Sequence, residues 1–333
     1  MKNDIRRRDF MLASAATVAA GGILNAQATT SRAAAAATPK YKTTLHKAKI
    51  AAPSEATLKS WADAGFEGME TSGKPAWSKS PVEAAKDHLM AEKLGMRIHS
   101  VLFGWANFNS PDAGKVAADV ENMKAALRAA QGYGADAVLL VPCRIGGMAM
   151  PQAWEFDIKF DEKTGHIKQV AAGDNSKYEK YIEAHNVSTD ATRKAVEKLI
   201  PVAQETGVTI ALENVWNNLW VKPEIFKNLV ASFNTRWVAA YYDIGNHVKY
   251  APPQDWIRTL GDLIVKCHVK DFKLNPNGQG GRFVNFRDGS VDWPVVRKAL
   301  DDIGYSGWMT IEGSGGLSLE EQNKRLDLIF AGK

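Results

Sequence analysis

Gly207-Val208-Thr209-Ile210-Ala211-Leu212-Glu213-Asn214 is the stretch that decides the architecture. A short apolar run follows a glycine and ends on a carboxylate, as a strand buried on both faces does when it emerges at a polar edge. Upstream, residues 189–206 carry apolar side chains at helical spacing, and Gly207 stands where such a helix stops. The unit of helix, glycine, apolar strand and terminal polar residue recurs in both directions. Strand candidates are residues 48–52, 65–70, 96–101, 137–141, 209–213, 237–243, 264–269 and 308–312. Helical patterns occupy 55–64, 82–94, 114–133, 189–206 and 291–303, and Gly95, Gly134 and Gly304 repeat the role of Gly207. Eight such units within residues 45–333 fit a closed (β/α)₈ barrel, which typically takes about 250 residues. A doubly wound open sheet fits less well, because no Gly-rich phosphate loop follows the first strand.

One connection breaks the rhythm. Residues 143–188, between the fourth strand and its helix, far exceed the roughly 2–6 residues usual for such a link. Within it, residues 156–160 and 166–170 alternate apolar and polar side chains around Gly165, which predicts a small hairpin at the place where barrel enzymes keep their lids.

The N-terminus reads as an address. Arg6, Arg7 and Arg8 precede an uncharged stretch too short and too rich in alanine and glycine to span a membrane. Arg7-Arg8-Asp9-Phe10-Met11 matches the twin-arginine export pattern, and Ala26-Gln27-Ala28 offers a small-residue cleavage site. The expected organisation is a signal peptide over 1–28, a linker over 29–44 and a single catalytic domain over 45–333. Such a chain would meet the twin-arginine translocase and end in the periplasm. Residues 1–28 hold four basic and two acidic side chains, so without them the net charge falls from +5 to +3. That is no nucleic-acid footprint. Two cysteines, Cys143 and Cys267, are too few for a disulfide scaffold and read as core thiols.

Barrel enzymes place their chemistry at the C-terminal ends of the strands, so the polar residues there carry the functional argument. Strand parity turns Glu213 inward with Ala211 and Thr209, Glu312 inward with Thr310, and His268 inward with Lys270 above it. Asp243 closes the strand between. Alone, His268 is more often a satisfied core histidine, and a lone strand-end carboxylate a solvated loop residue. Four such residues on successive strands, separated by 30, 25 and 44 positions, make a different case. Three carboxylates that close would raise one another's pKa unless a cation lay among them. Oxygen ligands with one imidazole suit Mn²⁺ best, then Mg²⁺ or Co²⁺, with Zn²⁺ also allowed.

These residues carry a resemblance. Ala211-Leu212-Glu213-Asn214, Tyr242-Asp243-Ile244-Gly245-Asn246, Cys267-His268-Val269-Lys270-Asp271 and the tail from Val291-Asp292-Trp293 to Ile311-Glu312 resemble the xylose isomerase-like TIM-barrel superfamily, in particular its sugar phosphate isomerase/epimerase branch with ketose 3-epimerases and inosose dehydratases. The resemblance implies that Glu213, Asp243, His268 and Glu312 bind one divalent metal and that Glu213 and Glu312 double as acid and base. The metal would chelate a carbonyl and a neighbouring hydroxyl, acidify the adjacent C–H and stabilise the enediolate. It places substrate contacts at Glu70 and His99. There are departures: ketose 3-epimerases carry a histidine three residues after the metal aspartate, where this chain has Asn246 with His247 next. Their arginine six residues past the metal histidine is Leu274 here, leaving Lys270, Arg282 or Arg287 for that role. Trp105, Trp216 and Trp220 fall in mouth loops, where an indole suits a sugar ring as well as rim packing.

The expectation is an isomerase or epimerase of an unphosphorylated ketose or oxidised sugar, with homo-oligomerisation allowed. The nearest rival is a lyase or hydratase of 3-oxo-sugars or 3-oxo-glycosides using the same proton abstraction. A phosphodiester nuclease would need more histidines than the seven of this chain supply at strand ends, and a sugar-binding module would need no metal.

Overall fold

A computed structural model describes residues 41–313 and 315–333; the expected signal peptide and nearly all of the expected linker lie outside the described residues. Twelve strands form among these residues. They are β1 (Leu45–Ile50), β2 (Gly68–Ser72), β3 (Arg97–Trp105), β4 (Ala137–Val141), β5 (Phe156–Phe160), β6 (Ile167–Ala171), β7 (Thr209–Glu213), β8 (Val238–Asp243), β9 (Ile264–Val269), β10 (Asp271–Leu274), β11 (Gly281–Val284) and β12 (Gly307–Ile311). Eight of them close a parallel barrel in the order β1-β12-β9-β8-β7-β4-β3-β2, the (β/α)₈ fold that the repeating units require. The other four pair as antiparallel hairpins, β5 with β6 and β10 with β11.

Local chemistry sets the helix ends. Ser80 and Glu83 exchange hydrogen bonds in a capping box ahead of Pro81, while Asp112, Asp292 and Ser318 each accept an amide of the first helical turn. Gly207 takes a left-handed φ of 72° at the end of the helix before β7, as an L side chain would do only under strain.

Two elements differ from expectation. The helical pattern over 189–206 is two helices, Glu179–Glu197 and Ile200–Thr206, because Pro201 has no N–H to continue the first. The first of these also starts ten residues earlier, so it takes the end of the long β4 connection. Strand β3 runs four residues past its expected end through a register shift at Gly104, φ +82°, and carries Trp105 to the rim. The main core lies between strands and helices. Inside the barrel, Ala137, Leu139, Val141, Ala211 and Tyr241 form a smaller cluster directly beneath the mouth. Both cysteines are free and buried.

Candidate metal centre and mouth

Glu213, Asp243, His268 and Glu312 converge at the C-terminal end of the barrel, each offering one atom within 4.8 Å of the others. They come from four adjacent strands in the order β7, β8, β9, β12, so Glu213 and Glu312 flank the pair between them. Glu312 lies one residue past β12, pinned where its amide donates to the Val269 carbonyl.

Each side chain is aimed. One oxygen of Asp243, Oδ1, accepts the amides of Gly245 and Asn246 at 2.8 and 2.7 Å, a local aspartate turn that leaves Oδ2 facing the centre. Asn214 braces the same strand end, donating to the Asp243 carbonyl and accepting the Asp243 amide. His268 turns Nε2 toward Glu70 Oε2 at 2.6 Å and so presents Nδ1 to the cluster, 3.1 Å from Glu312 Oε2 and 3.4 Å from Glu213 Oε1. A carboxylate behind a histidine is how proteins fix the tautomer and angle of a metal-binding imidazole. Tyr241 donates to the same Glu70 oxygen at 3.1 Å.

The atoms that face inward are those left over. Asp243 Oδ2, His268 Nδ1 and Glu312 Oε2 are buried and make no hydrogen bond of acceptable geometry among the described residues. Lys270 Nζ stands at ion-pair distance, 2.9 Å from Glu312 Oε2 and 3.5 Å from Asp243 Oδ2, and donates to Asn246 Oδ1 at 3.2 Å. Burial pushes Asp243 up to about 8 and raises Glu213, in both cases against the pull of nearby positive groups. Burial also opposes ionisation of Glu312, but His268 and Lys270 outweigh it and hold this carboxyl well below the usual range. Burial disfavours charged His268, yet Tyr241, Glu70 and the nearby Glu213 and Glu312 lift it well above its ordinary value. One hard divalent cation would satisfy all three leftover atoms and separate the carboxylates.

The other expected site residues divide. Asn246 reaches Glu213 Oε1 at 3.4 Å, and Lys270 sits over the centre. Glu70 is fully buried and belongs beneath His268, out of reach of a substrate at the rim. His99, expected at the mouth, is sealed inside the barrel, stacked on Trp308 at 4.5 Å with Nε2 against Thr310; burial, Lys266 and Arg97 push its pKa well down. His247, also expected at the mouth, packs outward between Tyr250 and Trp256 with Nε2 on the Val215 carbonyl. Trp220 is core, its N–H donated to Thr189. Trp105 and Trp216 stay exposed at the rim, Trp105 under the Arg144 guanidinium at 4.4 Å.

Sequence reading missed the β10–β11 hairpin, which rises from the end of β9 beside the centre and carries Phe283. Its signal was present: Asn277-Gly278 between Phe272-Lys273-Leu274 and Arg282-Phe283-Val284 is a turn flanked by alternating residues. Asp271 holds its base, accepting the amides of Arg287, Gly289 and Val291 and the Trp293 indole.

Fold and quartet together define a (β/α)₈ barrel with a candidate divalent-metal site at its catalytic mouth. The chain belongs to the xylose isomerase-like TIM barrel family, whose model matches residues 58–326. The uncharacterized protein MJ1311 of Methanocaldococcus jannaschii is 25% identical over 143 residues, 41% of this chain, and the match spans only 45% of that relative's length. Among solved structures, a D-psicose 3-epimerase determined in the presence of D-fructose superposes with a TM-score of 0.62 at 14% identity, over 86% of this chain and 100% of its own. A 3-keto-D-glucoside 4-epimerase from E. coli gives 0.60 at 13% over 86% and 99%. A xylose isomerase-like barrel from Mycobacterium smegmatis in complex with magnesium gives 0.57 at 17% over 84% and 87%. At these identities the likeness is one of fold.

Proposed function

We propose that this protein is a divalent-metal-dependent sugar isomerase or epimerase that moves a proton on a carbon next to a carbonyl, in an unphosphorylated ketose or oxidised sugar. The observation that carries the reading is the quartet itself, whose inward atoms are mutually close and, for Asp243 Oδ2, His268 Nδ1 and Glu312 Oε2, buried and without hydrogen bonds among the described residues. Glu213, Asp243, His268 and Glu312 would hold the cation, Mn²⁺ by preference for a site of three carboxylates and one imidazole. A cation bound there would polarise the substrate carbonyl and acidify the neighbouring C–H.

The chain's own residues do the rest. Glu213 and Glu312 stand on the outer two of the four strands, so a carbon between them can lose its proton to one carboxylate and regain it from the other. Which acts first is set by the stereochemistry of the substrate. Lys270 offers ammonium donors beside Glu312 to a substrate oxygen, and Asn246 offers its amide beside Glu213. Glu70 acts through His268 as a positioning residue. Trp105 and Trp216 border the entrance and exclude water from a bound ring. An exported enzyme would rarely meet phosphorylated sugars, which supports an unphosphorylated substrate. Export by the twin-arginine route to the periplasm, read from Arg7-Arg8 and Ala26-Gln27-Ala28, is part of the same reading.

Incubating Mn²⁺-loaded protein with pooled ketoses and 3-oxo-glycosides in D₂O, with Glu213→Gln as control, tests it by mass spectrometry. Deuterium gained without change of composition, and lost in the variant by about a thousandfold, is expected. Fragments of an eliminated aglycone would make the enzyme a lyase. Silence in both pools would sink the catalytic reading.

A further inference from the structure

Among the described residues, the large hydrophobic side chains left exposed sort by type. The aliphatic ones, Val82, Leu89 and Val187, sit on helices around the barrel. The aromatic ones, Trp105, Trp154, Trp216 and Phe283, all lie at or after the C-terminal end of a barrel strand. Exposed aromatic surface is concentrated on the face that holds the quartet, which points to a ligand with an apolar face.

Two of these rings form a platform. Phe283, 42% exposed, and Trp216, 39% exposed, have centroids 4.8 Å apart, and both pack on buried Phe272, at 5.3 and 5.6 Å. Phe272 and Phe283 are register partners across the hairpin, so they share one of its faces. The Trp216 indole donates to the Asn246 carbonyl, and Lys249 Nζ lies over its ring at 3.4 Å. With Asp271 tying down the hairpin base, the rings are held in place with part of their surface exposed.

The platform also borders the reacting site. Lys270 Nζ is 5.1 Å from the Phe283 centroid and 2.9 Å from Glu312, and Asn246 links Trp216 to Glu213. A ring seated at the quartet would place its neighbour in a glycoside over Phe283.

We propose that Phe283 and Trp216 form a second-ring subsite, and that the substrate is a glycoside whose reacting sugar lies at the quartet while the glycosidically joined ring stacks on this platform. The inference rests on the reading of the quartet as a sugar site. A joined ring supplies the apolar face that these side chains match, and a single free ketose would leave them uncovered.

Binding without turnover tests it. Methyl β-D-glucoside, phenyl β-D-glucoside and cellobiose are titrated into Mn²⁺-loaded wild type and Phe283→Ala, read by saturation-transfer NMR and calorimetry. The expected result is about tenfold tighter binding of the two-ring probes than of the methyl glycoside, with saturation strongest on the second ring. Phe283→Ala should erase that margin and leave the methyl glycoside unchanged. A preference of cellobiose over the phenyl glycoside identifies the second ring as a sugar, and the reverse as an aryl group. Equal affinities in wild type, absence of binding included, or equal weakening of all three probes in Phe283→Ala, overturns the subsite. The deuterium experiment fails or succeeds independently: exchange without ring preference removes the subsite alone, and ring preference without exchange removes the chemistry alone.

Discussion

The two ends of the barrel interior use the same kinds of charged side chain and treat them in opposite ways. At the N-terminal end, Lys266 is buried but meets Asp136 Oδ1 at 2.5 Å, Arg97 meets the other oxygen of Asp136 at 3.1 Å, and His46 meets Glu67 at 2.5 Å. Each base there has a carboxylate that reaches water. At the mouth, three carboxylates crowd His268 and Lys270, and three of the atoms facing the centre are left without hydrogen bonds among the described residues. Buried polar atoms without partners are destabilising, so a fold keeps them where something else completes them. The closed end is finished by protein alone, whereas at the mouth the proposed cation would finish it.

The sharpest way to break that comparison is to weaken the support of the mouth without touching an inward-facing atom. Glu70→Gln keeps the shape behind His268 and removes the charge that holds its Nε2–H. Mn²⁺ affinity should fall about 10–100-fold, as loss of a histidine's supporting carboxylate does elsewhere. Calorimetric titration measures it, with the melting temperature of the metal-free chain as the structural control. If affinity is unchanged, or falls only in step with lost folding, Glu70 is ordinary packing.

Glu70 also marks how far the sequence could be read. Glu213, His268 and Glu312 were legible because strand parity fixes direction, and Asp243 because it closes a strand between two of them. Glu70 was legible as a strand-end residue but not as the partner of His268, since β2 and β9 lie 198 residues apart along the chain from Glu70 to His268 and meet only across the closed barrel. His99 and His247 misled for a similar reason. The irregular pairing of β3 with β2, which skips His99 between Ile98 and Ser100, and the turn after Asp243 rotate side chains in ways that residue spacing does not encode. The hairpin carrying Phe283 had its turn signal, but nothing in that signal says that it stands beside the mouth.

Histidines sharpen the contrast further. His268 is raised by the groups around it, while His185 and His247, buried without a carboxylate partner, are pushed by burial down to about 3. On unfolding, His185 and His247 return to near 6.5, so below that value the unfolded chain binds protons that the folded chain refuses. Their contribution to stability is therefore full above about pH 6.5 and is lost as the pH falls toward 3. Between pH 7 and 5 each should cost on the order of 2 kcal/mol. Urea unfolding of wild type and His185→Gln at the two pH values isolates one group, because Gln can still accept the Trp220 amide. The loss on acidification should shrink by roughly that amount in the variant. An unchanged difference would mean that His185 is charged in the fold and that the mouth is not special in this respect.

The smallest expected effect comes from the closed end. Asp136→Asn removes the charge that neutralises Lys266 and Arg97 while keeping the shape of the turn before β4. An ammonium stripped of a fully buried partner would be costly, but Asp136 is 51% exposed and water softens the loss, so about 1 kcal/mol of stability is expected. Lys266, already shifted downward by burial, can also shed its proton and limit the damage. Mn²⁺ affinity and the rate of deuterium exchange should not move, because His99, Thr310 and Tyr241 fill the interior between this layer and the quartet. Thermal melts and metal titrations on the same sample decide the matter. Should Asp136→Asn weaken metal binding as strongly as Glu70→Gln, the two ends would be one electrostatic unit, and the division between a layer completed by protein and a layer completed by ligand would be wrong.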